Sequence, residues 1–89
     1  MERPKVLLAE SDAFFRSNQT LNSLDTIEIV GYVNTGTEAI GLCQSLKPDI
    51  LFVDMILKDM TGLEAARWIR EQNSSIKIFL FSFTLTRVS

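Results

Sequence analysis

Histidine is absent from the 89 residues. With it go the commonest metal ligand and the commonest general base, so zinc sites and Cys–His chemistry are excluded. The single cysteine, Cys43, has no second thiol in the chain to pair with, which removes a disulfide scaffold. With 4 glycines and 2 prolines, neither a collagen-like repeat nor a Pro/Gly-rich linker fits. Long apolar runs are missing too. Met1-Glu2-Arg3-Pro4-Lys5 leads into only Val6-Leu7-Leu8-Ala9 before Glu10, which is too short for a signal peptide or a membrane span. No charge of one sign dominates: 9 basic residues stand against 11 acidic ones, net −2. No basic surface for nucleic acid or anionic lipid follows from that balance. The expectation is a cytoplasmic protein in a reducing compartment, with no membrane partner and no DNA contact by this segment.

What is present is ordinary globular composition, 46% hydrophobic and 22% charged, read as one domain over residues 1–89. Val6-Leu7-Leu8-Ala9 ends abruptly on Glu10-Ser11-Asp12, as a strand buried on both faces would, with acids at its C-terminal end. Ser11 or Asp12 then caps a weakly amphipathic helix with Phe14, Leu21 and Leu24 on one face. Ile27-Glu28-Ile29-Val30-Gly31-Tyr32-Val33 is β-rich and partly alternating, a second strand at an edge, closed by the Asn34-Thr35-Gly36 turn. Thr35-Gly36-Thr37-Glu38 fits a capping box, and Ala39, Ile40, Cys43 and Leu46 form an apolar stripe before Pro48 stops the helix. In that stripe Cys43 reads as a small core hydrophobe rather than a reactive thiol.

Asp49-Ile50-Leu51-Phe52-Val53-Asp54 repeats the first pattern, an unbroken apolar strand delivering a carboxylate at its C-terminal end. Thr61-Gly62-Leu63-Glu64 is a second capping box, opening a helix that faces the core with Leu63, Ala66 and Ile69 and ends at Asn73-Ser74-Ser75. Trp68 lies off that stripe, and packing against a neighbouring loop is expected for it. Ile76-Lys77-Ile78-Phe79-Leu80-Phe81-Ser82 is a fourth strand finishing on a hydroxyl. Residues 83–89 show no pattern.

Strands and helices alternate in the order of a parallel α/β sheet with right-handed crossovers, where ligands sit beyond the carboxyl ends of the strands. Three polar groups converge on that rim: Glu10-Ser11-Asp12, Asp54 and Ser82. Taken alone, Asp12 reads as a helix cap. If the first and third strands are neighbours, Glu10 and Asp54 face each other with no basic residue nearby in sequence, and a hard divalent cation such as Mg²⁺ resolves the repulsion. With charge neutralised, one carboxylate can attack a phosphoryl group and become an aspartyl phosphate. Asp54 is the better nucleophile, because a flexible loop is expected directly after it, and Ser82 can donate a hydrogen bond to the phosphoryl oxygens.

At these residues the chain resembles the receiver domain of bacterial two-component response regulators. The carrying segments are Val6-Leu7-Leu8-Ala9-Glu10-Ser11-Asp12, Glu28-Ile29-Val30-Gly31-Tyr32, Gly36-Thr37-Glu38-Ala39-Ile40, Pro48-Asp49-Ile50-Leu51-Phe52-Val53-Asp54-Met55 and Gly62-Leu63-Glu64-Ala65-Ala66. Val30-Gly31 and Gly62-Leu63-Glu64-Ala65 look most like receivers that precede a LuxR-type DNA-binding domain. The resemblance implies a flavodoxin-like, doubly wound parallel sheet in strand order 2-1-3-4. It implies a signalling domain rather than an enzyme, phosphorylated on Asp54 by a histidine kinase, with Ser82 as switch hydroxyl. Mg²⁺ is then held by Glu10, Asp54 and the Ile56 backbone carbonyl, with Asp12 reaching over, and DNA is reached only through an output domain outside these residues.

The chain departs from the family pattern in places. Ser11 stands at the usual second acid, so Mg²⁺ affinity is expected to fall. Lys58 replaces a usual proline, and Phe83 a usual small residue. A complete receiver continues through a helix, a fifth strand ending in a lysine that contacts the phosphoryl group, and a last helix, none of which has a counterpart here. Lys77 lies early in strand four, too far from the site to substitute. Strand four is thereby left as an exposed apolar edge, for which a homodimer or swapped oligomer is expected. The alternative reading is a phosphorylation-independent pseudo-receiver acting as an interaction module. A hydrolase working through an aspartyl phosphate lacks a visible second-step base or cap domain.

Overall fold

The computed structural model describes residues 3–10 and 25–82. Along them run β1 (Lys5–Ala9), β2 (Glu28–Val33), α1 (Gly36–Leu46), β3 (Ile50–Asp54), α2 (Gly62–Gln72) and β4 (Lys77–Phe81). The strands pair in parallel in the order β2-β1-β3-β4, the flavodoxin-like arrangement expected, with β1 and β3 adjacent at the centre. The helix expected on Phe14, Leu21 and Leu24 lies outside the described residues, as do Ser11, Asp12 and Phe83.

Period-two alternation divides the central strands between two faces. Leu7, Ala9, Leu51 and Val53, each 0% exposed, point to one side and join Ala39 and Cys43 of α1 and Ala65 and Ile69 of α2 in a single core. Each large apolar side chain buried there contributes about 1.5–3 kcal/mol relative to exposure. Val6 and Leu8 alternate to the other side and are also buried, and on that side Phe52 stacks on Phe79 with centroids 5.1 Å apart. Unbroken apolar runs at β1 and β3 thus serve two faces at once.

Both helices begin as their sequences direct. The hydroxyl oxygens of Thr35 and Thr61 accept from the amides of Glu38 and Glu64, each at 3.1 Å. α1 stops at Lys47, whose left-handed backbone (φ 48°, ψ 60°) reverses the chain ahead of Pro48. In α2 the buried positions are Gly62, Ala65, Ala66 and Ile69, an i, i+3, i+4, i+7 stripe. Ala66 and Ile69 are buried as expected, whereas Leu63, about 100° round the helix from Gly62, is 42% exposed, and Gly62 and Ala65 take its place in the stripe. Trp68 is 56% exposed rather than packed on a loop.

At the N-terminal ends of the strands Asp49 acts as a stitch. Its amide donates to Lys5 O at 2.8 Å, its carbonyl accepts from Lys77 N at 3.0 Å, and its Oδ2 accepts from Lys5 N at 2.7 Å. β2 carries an irregularity: Val6 pairs with Ile29 but Leu7 with Gly31, so Val30 is an extra residue. That bulge is why the alternation in this segment is imperfect.

Candidate functional site at the carboxyl rim of the sheet

The register Ala9↔Val53 between β1 and β3 sets Glu10, one step beyond Ala9, at the same level as Asp54. The Glu10 amide donates to Val33 O at 2.9 Å, extending the ladder past β1 and holding this backbone at the rim. Glu10 is 1% exposed and Asp54 6%. Two carboxylates withdrawn from water on adjacent strands are stable only where charge is compensated. Their donor set is all hard oxygen, which fits Mg²⁺, an ion that takes one or two carboxylates and keeps waters. Among the described residues no three acidic or cysteine side chains gather into a metal site, and Asp12 lies outside them.

Asp54 is fixed by β4 and by the residues that follow it in sequence. It pairs with Phe81 in β4, the Met55 amide donates to Phe81 O at 2.8 Å, and Asp54 Oδ1 accepts from Ile56 N at 3.2 Å, an Asx-turn contact. Ser82 directly follows Phe81 and is exposed, so β4 delivers its hydroxyl residue to the same rim. Lys77 opens β4 opposite Ile50, at the other end of the sheet.

The segment after Asp54 is not the flexible loop expected. Residues 55–62 form a tight hairpin: Ile56 bridges Thr61 in antiparallel fashion, Gly62 N donates to Met55 O at 2.7 Å and Leu57 N to Met60 O at 3.1 Å. Those bonds do not use the Ile56 carbonyl. Leu57, 6% exposed, plugs into the core and Met60 packs against it. At the base Gly62 lies against the Asp54 backbone so closely that a Cβ would overlap its carbonyl carbon and oxygen.

The hairpin tip is tied to α1. Lys58 N donates to Asn34 O at 3.2 Å. Asp59 Oδ1 accepts from Gly36 N at 2.6 Å, and Oδ2 from Thr37 N at 3.1 Å and Thr37 Oγ1 at 2.6 Å. The Thr37 hydroxyl and then the Gly36 amide hold the Asp59 carboxyl below the ordinary 3.8. Sequence reasoning missed Asp59, Leu57 and Gly62. Only the glycine in the first turn of a helix gave a signal, because that position rarely selects it without a close contact. Cys43 is 3% exposed and burial pushes its thiol up to about 11, as suits a core residue.

Strand-end carboxylates on a β2-β1-β3-β4 parallel sheet are the arrangement of a flavodoxin-like receiver fold, and the comparisons agree with it. The chain belongs to the response regulator receiver domain family, whose model matches residues 6–87. It is 32% identical over 80 residues to the response regulator protein VraR of Staphylococcus aureus, covering 88% of this chain and 38% of that one. It is 35% identical over 81 residues to the transcriptional regulatory protein BtsR of Salmonella typhi, covering 89% and 34%. The chain thus spans little more than a third of these relatives. In fold it resembles the receiver domain of the response regulator NarL from Mycobacterium tuberculosis, with TM-score 0.84 and 23% identity over 92% of this chain and 68% of that one. Among the described residues no helix is long and apolar enough to cross a membrane.

Proposed function

We propose that this chain is a phosphoacceptor receiver of the cytoplasm, modified on Asp54 by a histidine kinase to control an output domain, transcriptional as in the relatives it resembles. The buried Glu10–Asp54 pair at adjacent strand ends carries the reading. Ile56 N occupies Asp54 Oδ1, which leaves Oδ2 to attack the phosphorus of a phosphohistidine. The P–N bond breaks, its electron pair returns to the imidazole, and an aspartyl phosphate remains. Glu10, Asp54 and the Ile56 carbonyl would hold Mg²⁺, and Asp12, two positions after Glu10 in sequence, would reach over to it; the ion would offset the charge gathering on the phosphoryl oxygens. Ser82 would donate to those oxygens and draw β4 toward the site, altering the surface beyond it. Ser11 in place of a second acid weakens the metal site. The chain acts here as substrate and switch, not as an enzyme in its own right, and DNA is contacted only by an output domain.

The test is incubation with acetyl phosphate and Mg²⁺, read by mass spectrometry. A single adduct of about 80 Da, one phosphoryl group, is expected on the wild type and not on Asp54→Asn. Its absence from the wild type would exclude the reading. A phosphorylation-independent interaction module is the second reading, favoured by Ser11 standing where the family has a second acid and by Phe83 in place of a small residue.

For partners, we propose a homodimer or swapped oligomer through β4. Phe79 and Leu80 are 49% and 40% exposed, and an apolar strand at the side of a sheet is a template for a second copy. Sedimentation should show concentration-dependent dimers that Phe79→Lys abolishes; a monomer at all concentrations would refute it.

A further inference from the structure

The first turn of α1 has a complete account of its amides, and half of it comes from another element. Helix N-termini leave their leading N–H groups without intrahelical partners. Here Thr35 satisfies Glu38 N from within the turn, whereas Gly36 N and Thr37 N are both satisfied by Asp59, some twenty residues later in the chain. The same carboxylate takes the Thr37 hydroxyl. A second bond, Lys58 N to Asn34 O, runs parallel to it, and it is one a proline at position 58 could not make. Met60, the next residue, lies directly against Gly36. Three consecutive residues at the hairpin tip therefore grip Asn34, Gly36 and Thr37 at the entry to α1. The other end of that hairpin carries Asp54 and Ile56, tied by Ile56 N to Asp54 Oδ1 and by Gly62 N to Met55 O.

We propose that Asp59 is a positioning residue for phosphoryl uptake, its carboxylate clamping the 55–62 hairpin onto α1 and so holding Asp54 and the Ile56 carbonyl in reacting geometry. The inference rests on the phosphoacceptor reading of Asp54. Asp59 touches neither the phosphoryl group nor a metal. It acts by restricting a hairpin whose displacement by about 1 Å is enough to slow a transfer that depends on alignment. Thr37 supplies the shortest side-chain contact and belongs to the same device.

The experiment compares wild type, Asp59→Asn, Thr37→Val, Thr37→Ser and Asp54→Asn with acetyl phosphate over a range of Mg²⁺ concentrations. Each is measured at a temperature where circular dichroism shows it fully folded. Asp59→Asn and Thr37→Val should need about 5-fold more Mg²⁺ for half-maximal rate, the scale of one ordinary hydrogen bond lost. Thr37→Ser, which keeps the hydroxyl, should restore the wild-type value. Amide exchange at Leu57 and Lys58 should quicken by a similar factor in Asp59→Asn and stay unchanged in Asp54→Asn. A merely stabilising Asp59 would lower the melting temperature and leave the Mg²⁺ dependence where it was, and that result overturns the proposal. If the wild type takes up no phosphoryl group, the phosphoacceptor reading fails and the positioning role falls with it. Uptake by the wild type with identical Mg²⁺ curves in the variants overturns the clamp alone.

Discussion

Replacing Gly62 with alanine puts a methyl group where the Asp54 backbone already lies. The nearest atoms to the added carbon are the carbonyl oxygen and carbon of Asp54, with Met55 Cα at 3.1 Å, and backbone atoms cannot turn aside as a side-chain end can. To reach ordinary contact the start of α2 must retreat by about 1.5 Å. That strains the Gly62 N–Met55 O bond, now 2.7 Å, and lifts Ala65, Ala66 and Ile69 from the core they fill. Overpacking of this kind costs about 1–3 kcal/mol, and a weakened hydrogen bond about 1 more. Alanine in a helix returns about 1 kcal/mol over glycine, leaving a net loss of about 2 kcal/mol. For a domain of this size the melting temperature should fall by about 10 °C. Gly41, in the same residue class but with nothing within 4 Å of its added Cβ, is the control, and Gly41→Ala should gain about 0.5–1 kcal/mol from propensity alone. Thermal and urea melts of the two variants read opposite signs. A Gly62→Ala protein as stable as Gly41→Ala would refute the close approach of α2 to the Asp54 backbone.

Lys47→Gly should raise the urea midpoint by the equivalent of about 0.5–1 kcal/mol, because Lys47 ends α1 at φ 48°, where glycine has no Cβ penalty. Asp49→Ala removes the Oδ2 acceptor of Lys5 N from an exposed position and should cost about 1 kcal/mol in the same melts. The Asp59 carboxyl is held below 3.8, so its contribution is present above the unfolded value and lost as pH falls through the folded one. Stability differences between wild type and Asp59→Ala should therefore be full near neutrality and vanish in acid, as measured by urea titrations across that range. With its thiol pushed to about 11, Cys43 should be about one part in a thousand thiolate at about pH 8. It should react with a disulfide reagent only as fast as the core opens, and fast labelling in the folded protein would contradict its burial.

The strands and the acids at their ends were legible because both are written in runs. Val6 to Ala9 and Ile50 to Val53 are apolar at every position, which only a strand covered on both faces needs. Capping threonines announced the starts of both helices for an equally local reason. What escaped was set by contacts between distant residues. Val30 becomes a bulge only because Leu7 pairs with Gly31, and no pattern within β2 requires it. Leu63 looked like core because it is large and Gly62 did not because it is small. The structure buries Gly62 and exposes Leu63, since the helix approaches the Asp54 backbone too closely for a side chain. The hairpin after Asp54 carries polar residues at its tip, which reads as flexibility until Leu57 is seen in the core and Asp59 on α1.

Among the described residues the two outer strands of the sheet, β2 and β4, differ. β2 begins with exposed Glu28 and carries a bulge, both of which discourage another chain from pairing with it. β4 keeps regular register with β3 along its whole length. After Lys77 it presents Ile78, Phe79, Leu80 and Phe81 without a charge or a proline. Its composition is that of an interior strand, yet Phe79 and Leu80 are substantially exposed. Phe79 already stacks on Phe52 of β3. A strand protected like β2 can remain an edge indefinitely; one built like β4 gains from any cover, at about 25 cal/mol per Å² of apolar surface removed from water. Because Ser82 directly follows this strand, whatever covers β4 also sits beside the rim that holds Asp54. Occupancy of the edge and the chemistry of the rim are therefore expected to influence each other, and a Phe79→Lys change should alter phosphoryl uptake as well as self-association.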